Sequence, residues 1–443
     1  MTPQEPHPWR RAVAWLLFLA PFFFLSYGFA NWAAAQRASV PVLAFAWERA
    51  IPFWAWTIVP YWSIDLLYGL SLFVCVTRAE LDAHAKRLLT AQIVAIACFI
   101  AFPYRFSFDR PGTEGVAGAL FAFLAGFDLP YNQVPSLHIA LAVILWVLYA
   151  NKTRGLARIL LDVWFILIGA SVLTTYQHHF IDLPTGFALG WLCVWLWPMP
   201  HSSILPPTAA WRWTADPARH RLALWYAAGA ALCLGIALVV GGWALWLAWP
   251  ALALGLVATG YAGLGASVFQ KDHDGRLSLA ARWLLAPYLA GAWLNSRWWT
   301  RRQPQPMHVA DGVWIGRFPS SRDLEQSRFA GIVDLSAELS LPRGPQQRAV
   351  VPVLDLTIPD AYALGRAAHA IESLRAKGTV LVCCALGYSR SACAIAAWLF
   401  ESRRASSVEV AIEMVRAARS DVVLNHAHAS ALRAMRGGPS VLT

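Results

Sequence analysis

Eight long apolar runs constrain this chain more than anything else in it. They lie near residues 13–33, 54–76, 88–103, 136–151, 157–176, 181–199, 221–242 and 244–266. About 20 apolar residues cross a bilayer as a helix, because a helix satisfies its backbone groups within one segment. Charged residues make up 14% of the 443, against about a quarter in soluble domains, and the deficit falls before residue 267. The expected fold is multi-domain: an all-α polytopic membrane bundle, a six-helix core plus two extra helices, followed by a soluble α/β domain. The first run follows Arg10 and Arg11 and precedes Ala33-Ala34-Ala35. It is too long and aromatic for a cleaved signal, so it is expected to remain as a helix.

The cations orient the bundle. Arg10 and Arg11, then Arg78, Lys86 and Arg87, then Lys152, Arg154 and Arg158, then Arg212, Arg219 and Arg221 all fall on one side. The positive-inside rule makes that side cytoplasmic, and eight crossings return the C-terminal part to it. The net charge of +11 is therefore a topology and membrane-surface signal and makes no case for nucleic acid. Cys75, Cys98, Cys193 and Cys233 lie in apolar runs, and Cys383, Cys384 and Cys393 cluster. No disulfide or zinc spacing exists among them. The Trp-rich segment Ala280 to Trp299 is broken by Arg282, Pro287 and Asn295. Its apolar core, Trp283–Leu294, is too short to cross and is expected as an interfacial helix. Gln303-Pro304-Gln305-Pro306 reads as a linker. The divisions are 1–199, 200–266, 267–305 and 306–443.

After the linker the pattern is α/β. Strand candidates are Val313–Gly316, Gly331–Leu335 and Val350–Leu356; helix candidates are Ala363–Lys377, Val408–Arg419 and Ala427–Met435. Val380 to Cys384 is a buried-strand pattern, followed by Ala385-Leu386-Gly387-Tyr388-Ser389-Arg390-Ser391 and a good helix former from Ala392. Strand, tight loop and helix point backbone N–H groups at an anion. Cys384 on that rim is placed to act as a thiolate nucleophile. Arg390, five residues further along, can hold two oxygens of one phosphate. Gly387 permits the turn.

This stretch resembles the signature loop of cysteine-dependent phosphatases of the dual-specificity branch, over Val309 to about Met435. The resemblance implies that fold, a phosphocysteine intermediate on Cys384, phosphoryl binding by Arg390 and the 385–389 loop (Ala385, Leu386, Gly387, Tyr388, Ser389), and help from Ser391 as the thiolate leaves. It implies a general acid some thirty residues upstream: Asp355 is the match and Asp360 the fallback. The family usually has His before the nucleophile; here Cys383 stands there.

A second constellation lies in the apolar half. Asn132-Gln133-Val134-Pro135-Ser136-Leu137-His138 opens the fourth run, and Thr174 to Gly186 joins the fifth to the sixth. Two His and an Asp at helix ends on one face can perform phosphoryl chemistry. Residues 1–199 resemble the type 2 phosphatidic acid phosphatase superfamily, in the branch of inositol phosphorylceramide synthase. Pro135, Ser136 and His138 match its second motif; His178 and Asp182 match its third. The resemblance implies His178 as nucleophile, His138 as acid and Asp182 as orienting carboxylate. Family cations would fall at Val172 and Pro103, which leaves Arg105 and Arg110 to hold the phosphate. His179 is expected as a packing or hydrogen-bond neighbour.

The two resemblances together imply a bifunctional phosphatase of a bacterial inner membrane, with its N-terminus and Cys384 cytoplasmic, His178 periplasmic, and no metal or cofactor. Membrane lipids are the expected partners, and a phosphorylated lipid or phosphoprotein the substrate. Headgroup transfer at the upper site, a tethered protein tyrosine phosphatase and a non-catalytic lipid-phosphate sensor remain alternatives. Oligomeric state is not readable.

Overall fold

The computed structural model describes residues 6–200 and 206–435. Two compact units result, divided at His201 and Ser202.

The first unit is helical: α1 Trp9–Ala35, α2 Ile58–Val74, α3 Arg78–Ala101, α4 Gly115–Ala125, α5 Leu137–Lys152, α6 Gly155–Thr174 and α7 Asp182–Leu196. Among the described residues of the whole chain, six helical segments are long and apolar enough to cross a membrane. Four of them lie in this unit, whereas α4, α5 and α7 are shorter apolar helices. Two expectations need correcting. The helix of the third run starts about ten residues before the apolar stretch, so Arg78, Lys86 and Arg87, which follow the second run, lie on α3. Thr77 caps α3 through Glu80 N–H, and buried Arg87 donates to the Trp197 carbonyl at 2.8 Å. Helix α4 was not expected at all.

α5 and α7 pack tightly because α7 carries Gly186 and Gly190. A Cβ at Gly186 would lie 2.3 Å from the Ser136 carbonyl oxygen, and one at Gly190 would lie 2.7 Å from Val143 Cβ. Small residues permit this approach of two backbones. Ser136 caps α5, and its N–H donates to the Asp182 carbonyl at 3.1 Å. The start of α5, with His138, is thereby fixed beside the start of α7, with Asp182.

The second unit begins with the single turn α8 Pro207–Ala210, then α9 Pro217–Val240 and α10 Ala248–Thr259. The last apolar run is not one α-helix. A 3₁₀ turn (Gly242–Leu247) precedes α10, and a π turn (Gly260–Leu264) and a 3₁₀ turn (Gly265–Phe269) follow it. The Trp-rich segment is two helices, α11 Leu279–Leu284 and α12 Ala286–Trp299. Pro287 does not interrupt a helix; it sits in the first turn of α12, where its missing N–H costs nothing.

The α/β part follows with β1 Met307–Ala310, β2 Val313–Arg317, α13 Ser321–Glu325, β3 Gly331–Ser336, β4 Gln347–Val353, α14 Ala361–Arg375, β5 Val380–Cys384, α15 Arg390–Glu401, α16 Val408–Ala418 and α17 His426–Ala434. β1 and α13 were missed, being five residues or fewer. The sheet order is β1-β2-β5-β3-β4; β1 is antiparallel and the rest parallel. β5 is central and wholly buried, as its unbroken apolar run requires. The strand alternation sends Cys384 to the face covered by α14 and α15 and Cys383 to the other, with Leu381.

Candidate functional sites

Cys384 ends the central strand, and the loop after it turns back at once into α15. Gly387 makes this possible: its φ is +77°, and a Cβ there would lie 2.6 Å from the Gly316 carbonyl. The Gly387 N–H points at Cys384 Sγ at 3.3 Å, and Ser391 Oγ lies 3.3 Å from the same sulfur. The loop carbonyls are taken from outside it: Ala385 accepts from Ser296 Oγ at 2.5 Å, and Tyr388 accepts from Val423 N–H at 2.8 Å. Two expected loop ligands use their side chains elsewhere. Ser389 Oγ pairs with His428 Nε2 at 2.9 Å, and the Tyr388 hydroxyl donates to the Trp299 carbonyl at 3.2 Å. Leu386 packs against the core behind the loop, so its backbone and not its side chain can serve an anion.

Arg390 is buried, and both of its Nη groups are engaged. Nη1 donates to Glu338 Oε2 and to the Val353 carbonyl, each at 2.8 Å. Nη2 donates to Glu338 Oε1 at 2.7 Å and to Asp355 Oδ1 at 2.8 Å. A guanidinium has two hydrogens on each Nη, so all four are committed. Glu338 was not found from the sequence; a lone carboxylate between Ala337 and Leu339 was the available signal. Burial opposes the charge on Glu338, but Arg390 overrides it and holds the carboxyl below its usual range. Burial pushes the Asp355 carboxyl up; Arg390 pulls against this and Glu338 adds to it. Burial also pushes the Cys383 thiol far up, which makes it an inert neighbour. Asp360 caps α14, accepting from Ala363 N–H at 2.7 Å, and Asp355 is the one that reaches Arg390.

In the first unit, His178 Nδ1 lies 3.0 Å from Asp182 Oδ2, and the same oxygen accepts from His179 N–H at 3.0 Å. His178 lines a cavity of about 350 Å³ together with Arg105, Arg110, Asp128, Tyr27 and Gln133. Arg110 donates to the Thr175 carbonyl at 3.3 Å and lies over the Phe121 ring. His138 stacks on Tyr61 with centroids 4.2 Å apart, and its Nε2 is buried without a hydrogen-bond partner among the described residues. His179 has partners of its own: Nδ1 is 2.8 Å from Glu48 Oε2 and Nε2 is 3.1 Å from Ser107 Oγ. Glu48, in the 3₁₀ turn Ala46–Ala50, and Asp128, just after α4, were missed because neither belongs to the motif of His138 or of His178. The Tyr27 hydroxyl donates to Asp128 at 2.9 Å.

Residues 313–437 match the family described as "Dual specificity phosphatase, catalytic domain". The C-terminal part of the chain therefore carries a dual-specificity phosphatase domain. Similar solved structures include Tk-PTP in its active form, 25% identical over 31% of this chain and 99% of its own, with a TM-score of 0.28. Human DUSP28 is 26% identical over 30% of this chain and 94% of its own, with a TM-score of 0.28. PTPMT1 in complex with PI(5)P is 18% identical over 30% and 94%, with a TM-score of 0.27. No curated protein matches the chain.

Proposed function

We propose that this protein is a bifunctional integral membrane phosphatase acting on lipid-borne phosphomonoesters, with Cys384 as the nucleophile of one centre and His178 of the other. The observation that carries the reading is the Cys384 loop, where sulfur, Ser391 hydroxyl and Gly387 N–H converge opposite a fixed Arg390 fork. In the first step the sulfur bonds to phosphorus and the ester P–O bond breaks, with the Asp355 proton passing to the leaving oxygen. Water then attacks the phosphocysteine, Asp355 takes its proton, and phosphate leaves as Ser391 supports the departing thiolate. One phosphoryl oxygen can pair with the Nε–H of Arg390, the fifth donor, which none of these bonds uses, while a second displaces Asp355 from Nη2. The displaced carboxyl, raised by burial, is then free to serve the leaving group.

The membrane setting rests on the six long apolar helices and on their outward side chains, such as Leu25, Leu224 and Val239. The lysine and arginine distribution supports a cytoplasmic Cys384 centre with His178 on the opposite face, and the setting we propose is a bacterial inner membrane. There Asp182 orients the His178 imidazole, Arg105 and Arg110 hold the phosphate, and His138 protonates the leaving alkoxide. Headgroup transfer is a second reading of that site. It is favoured by Asp128, a carboxylate in the same cavity, which suits a hydroxyl acceptor better than a second anion.

The test uses the full chain in detergent. Cys384→Ser is expected to abolish release of phosphate from an aryl phosphate, because a hydroxyl replaces a thiolate. His178→Ala is expected to leave that release intact and to abolish turnover of phosphatidic acid by a Cys384→Ser protein. Wild-type aryl phosphate turnover by Cys384→Ser would refute the thiolate mechanism.

A further inference from the structure

The π turn Gly260–Leu264, at the end of the last apolar span, carries Tyr261. A π turn inside a helix is a local expense that concentrates at functional positions. Tyr261 is 1% exposed, and its hydroxyl donates to the main-chain carbonyl of Asp355 at 2.9 Å, across 94 residues of sequence. Its ring stacks on Tyr226 of α9 at 5.2 Å, and Tyr226 in turn meets Tyr288 of α12 at 5.8 Å. The three hydroxyls are within electrostatic reach of Asp355 and Glu338, and that of Tyr261 also of Arg390.

The neighbouring contacts repeat the theme. Lys271, just past the same span, is buried and donates to Asp334 and to the Ser336 carbonyl at the end of β3. Ser296 of α12 holds the Ala385 carbonyl of the phosphate loop. Elements before residue 300 thus hold both the Asp355 segment and the phosphate loop. Leu356, next to Asp355, has a φ of +55°, a left-handed conformation that a bulky residue holds only under outside constraint.

We infer that Tyr261 is a positioning residue for the phosphatase reaction, holding the Asp355 loop so that the carboxyl can move from Arg390 to the leaving oxygen, and that the apolar segment of α10 and its π turn is thereby a working part of the Cys384 centre. The inference rests on Asp355 being the general acid, and it concerns a residue outside the matched 313–437 segment. Tyr261 touches neither substrate nor nucleophile. It fixes the main chain beside the acid; Arg390 pairs with the carboxyl, and Glu338 and the phenols of Tyr226, Tyr261 and Tyr288 lie within electrostatic reach of it.

The experiment compares Tyr261→Phe, Asp355→Asn and the double variant in the full chain, all carrying His178→Ala. The substrates are p-nitrophenyl phosphate, whose leaving group needs no proton, and glycerol 2-phosphate, whose leaving group does. Phe keeps the ring stacking, and thermal unfolding confirms that the fold is retained. The comparison is made in kcat/KM, which reports steps only up to phosphocysteine formation and so excludes the later role of Asp355 toward water, common to both substrates. Tyr261→Phe is expected to lower kcat/KM on glycerol 2-phosphate about 10- to 100-fold, part of the 10²–10⁴-fold range of general acid catalysis, and on p-nitrophenyl phosphate by less than about threefold. The basic limb of the pH profile should move to lower pH, as the carboxyl returns toward the ordinary Asp range. The double variant should be no worse than Asp355→Asn. Equal losses on both substrates, or losses that multiply in the double variant, would overturn the positioning role. If Asp355→Asn itself shows no leaving-group dependence, the acid assignment fails instead, and the two failures are distinguishable.

Discussion

Glu338→Gln tests how Arg390 is held. Both oxygens of Glu338 pair with the guanidinium, at 2.7 and 2.8 Å, and both side chains are almost fully buried. Removing one partner of such a pair costs about 3–5 kcal/mol, because the other charge is left uncompensated. The amide keeps one acceptor, and Asp355 and the Val353 carbonyl remain on Arg390. We therefore expect the low end, about 3 kcal/mol. For a domain of this size that corresponds to a fall of about 10 °C in the melting temperature of the α/β part. Turnover should change in KM more than in kcat, since the fork that receives the phosphate loses its fixed plane. The pH dependence follows from the depressed Glu338 carboxyl. A group whose folded pKa lies below its unfolded value stabilises above the unfolded value, near 4.3 for Glu, and loses that contribution as pH falls through the folded one. The gap between wild type and variant should thus be full at pH 7 and should close below about pH 4. The assay is thermal unfolding of the purified full chain at a series of pH values, with aryl phosphate kinetics at pH 7. A melting temperature within about 2 °C of wild type at pH 7, with unchanged KM, would refute the argument that this pair organises the site.

Two further outcomes are expected. Gly190→Ala places a methyl 2.7 Å from Val143 Cβ and 2.8 Å from the Ala140 carbonyl. It should cost about 1–3 kcal/mol and lower lipid phosphate turnover through misplacement of His138 against His178, with the aryl phosphatase activity of Cys384 untouched. Reporter fusions truncated after Gln270 and after Gln305 should both read cytoplasmic, because α11 and α12, of 6 and 14 residues, are too short to cross; opposite readings would sink the two-sided arrangement.

What the sequence made legible was local. Cys384, Gly387, Arg390 and Ser391 lie within one strand–loop–helix, so their chemistry can be read from spacing. The apolar runs were legible because each carries its own length requirement. α4 was not, being too short to span and set between polar loops. The supports of the site were invisible for a different reason. Glu338 reaches Arg390 across 52 residues, Ser296 reaches Ala385 across 89, and Tyr261 reaches Asp355 across 94. No periodicity or motif encodes such a pairing, and each partner taken alone is unremarkable: a serine in a Trp-rich helix, a tyrosine near a span's end.

The same contrast bears on the Gln303-Pro304-Gln305-Pro306 segment. Its composition reads as a linker, and a linker invites the idea of a phosphatase that would work equally well cut free. Yet Ser296 and Trp299 before it bond to Ala385 and Tyr388 after it, and Lys271 bonds into the end of β3. A proline-rich turn marks where a chain changes direction and says nothing about whether its two sides are independent. If the phosphate loop keeps its shape partly through α12, the helices before the linker are selected for catalysis as well as for anchoring. Ser296→Ala should then raise KM for aryl phosphate in the full chain, by about three- to tenfold for one lost hydrogen bond of about 1 kcal/mol. A Ser296→Ala protein with wild-type KM would show that the loop holds itself, and that α12 only rests against it.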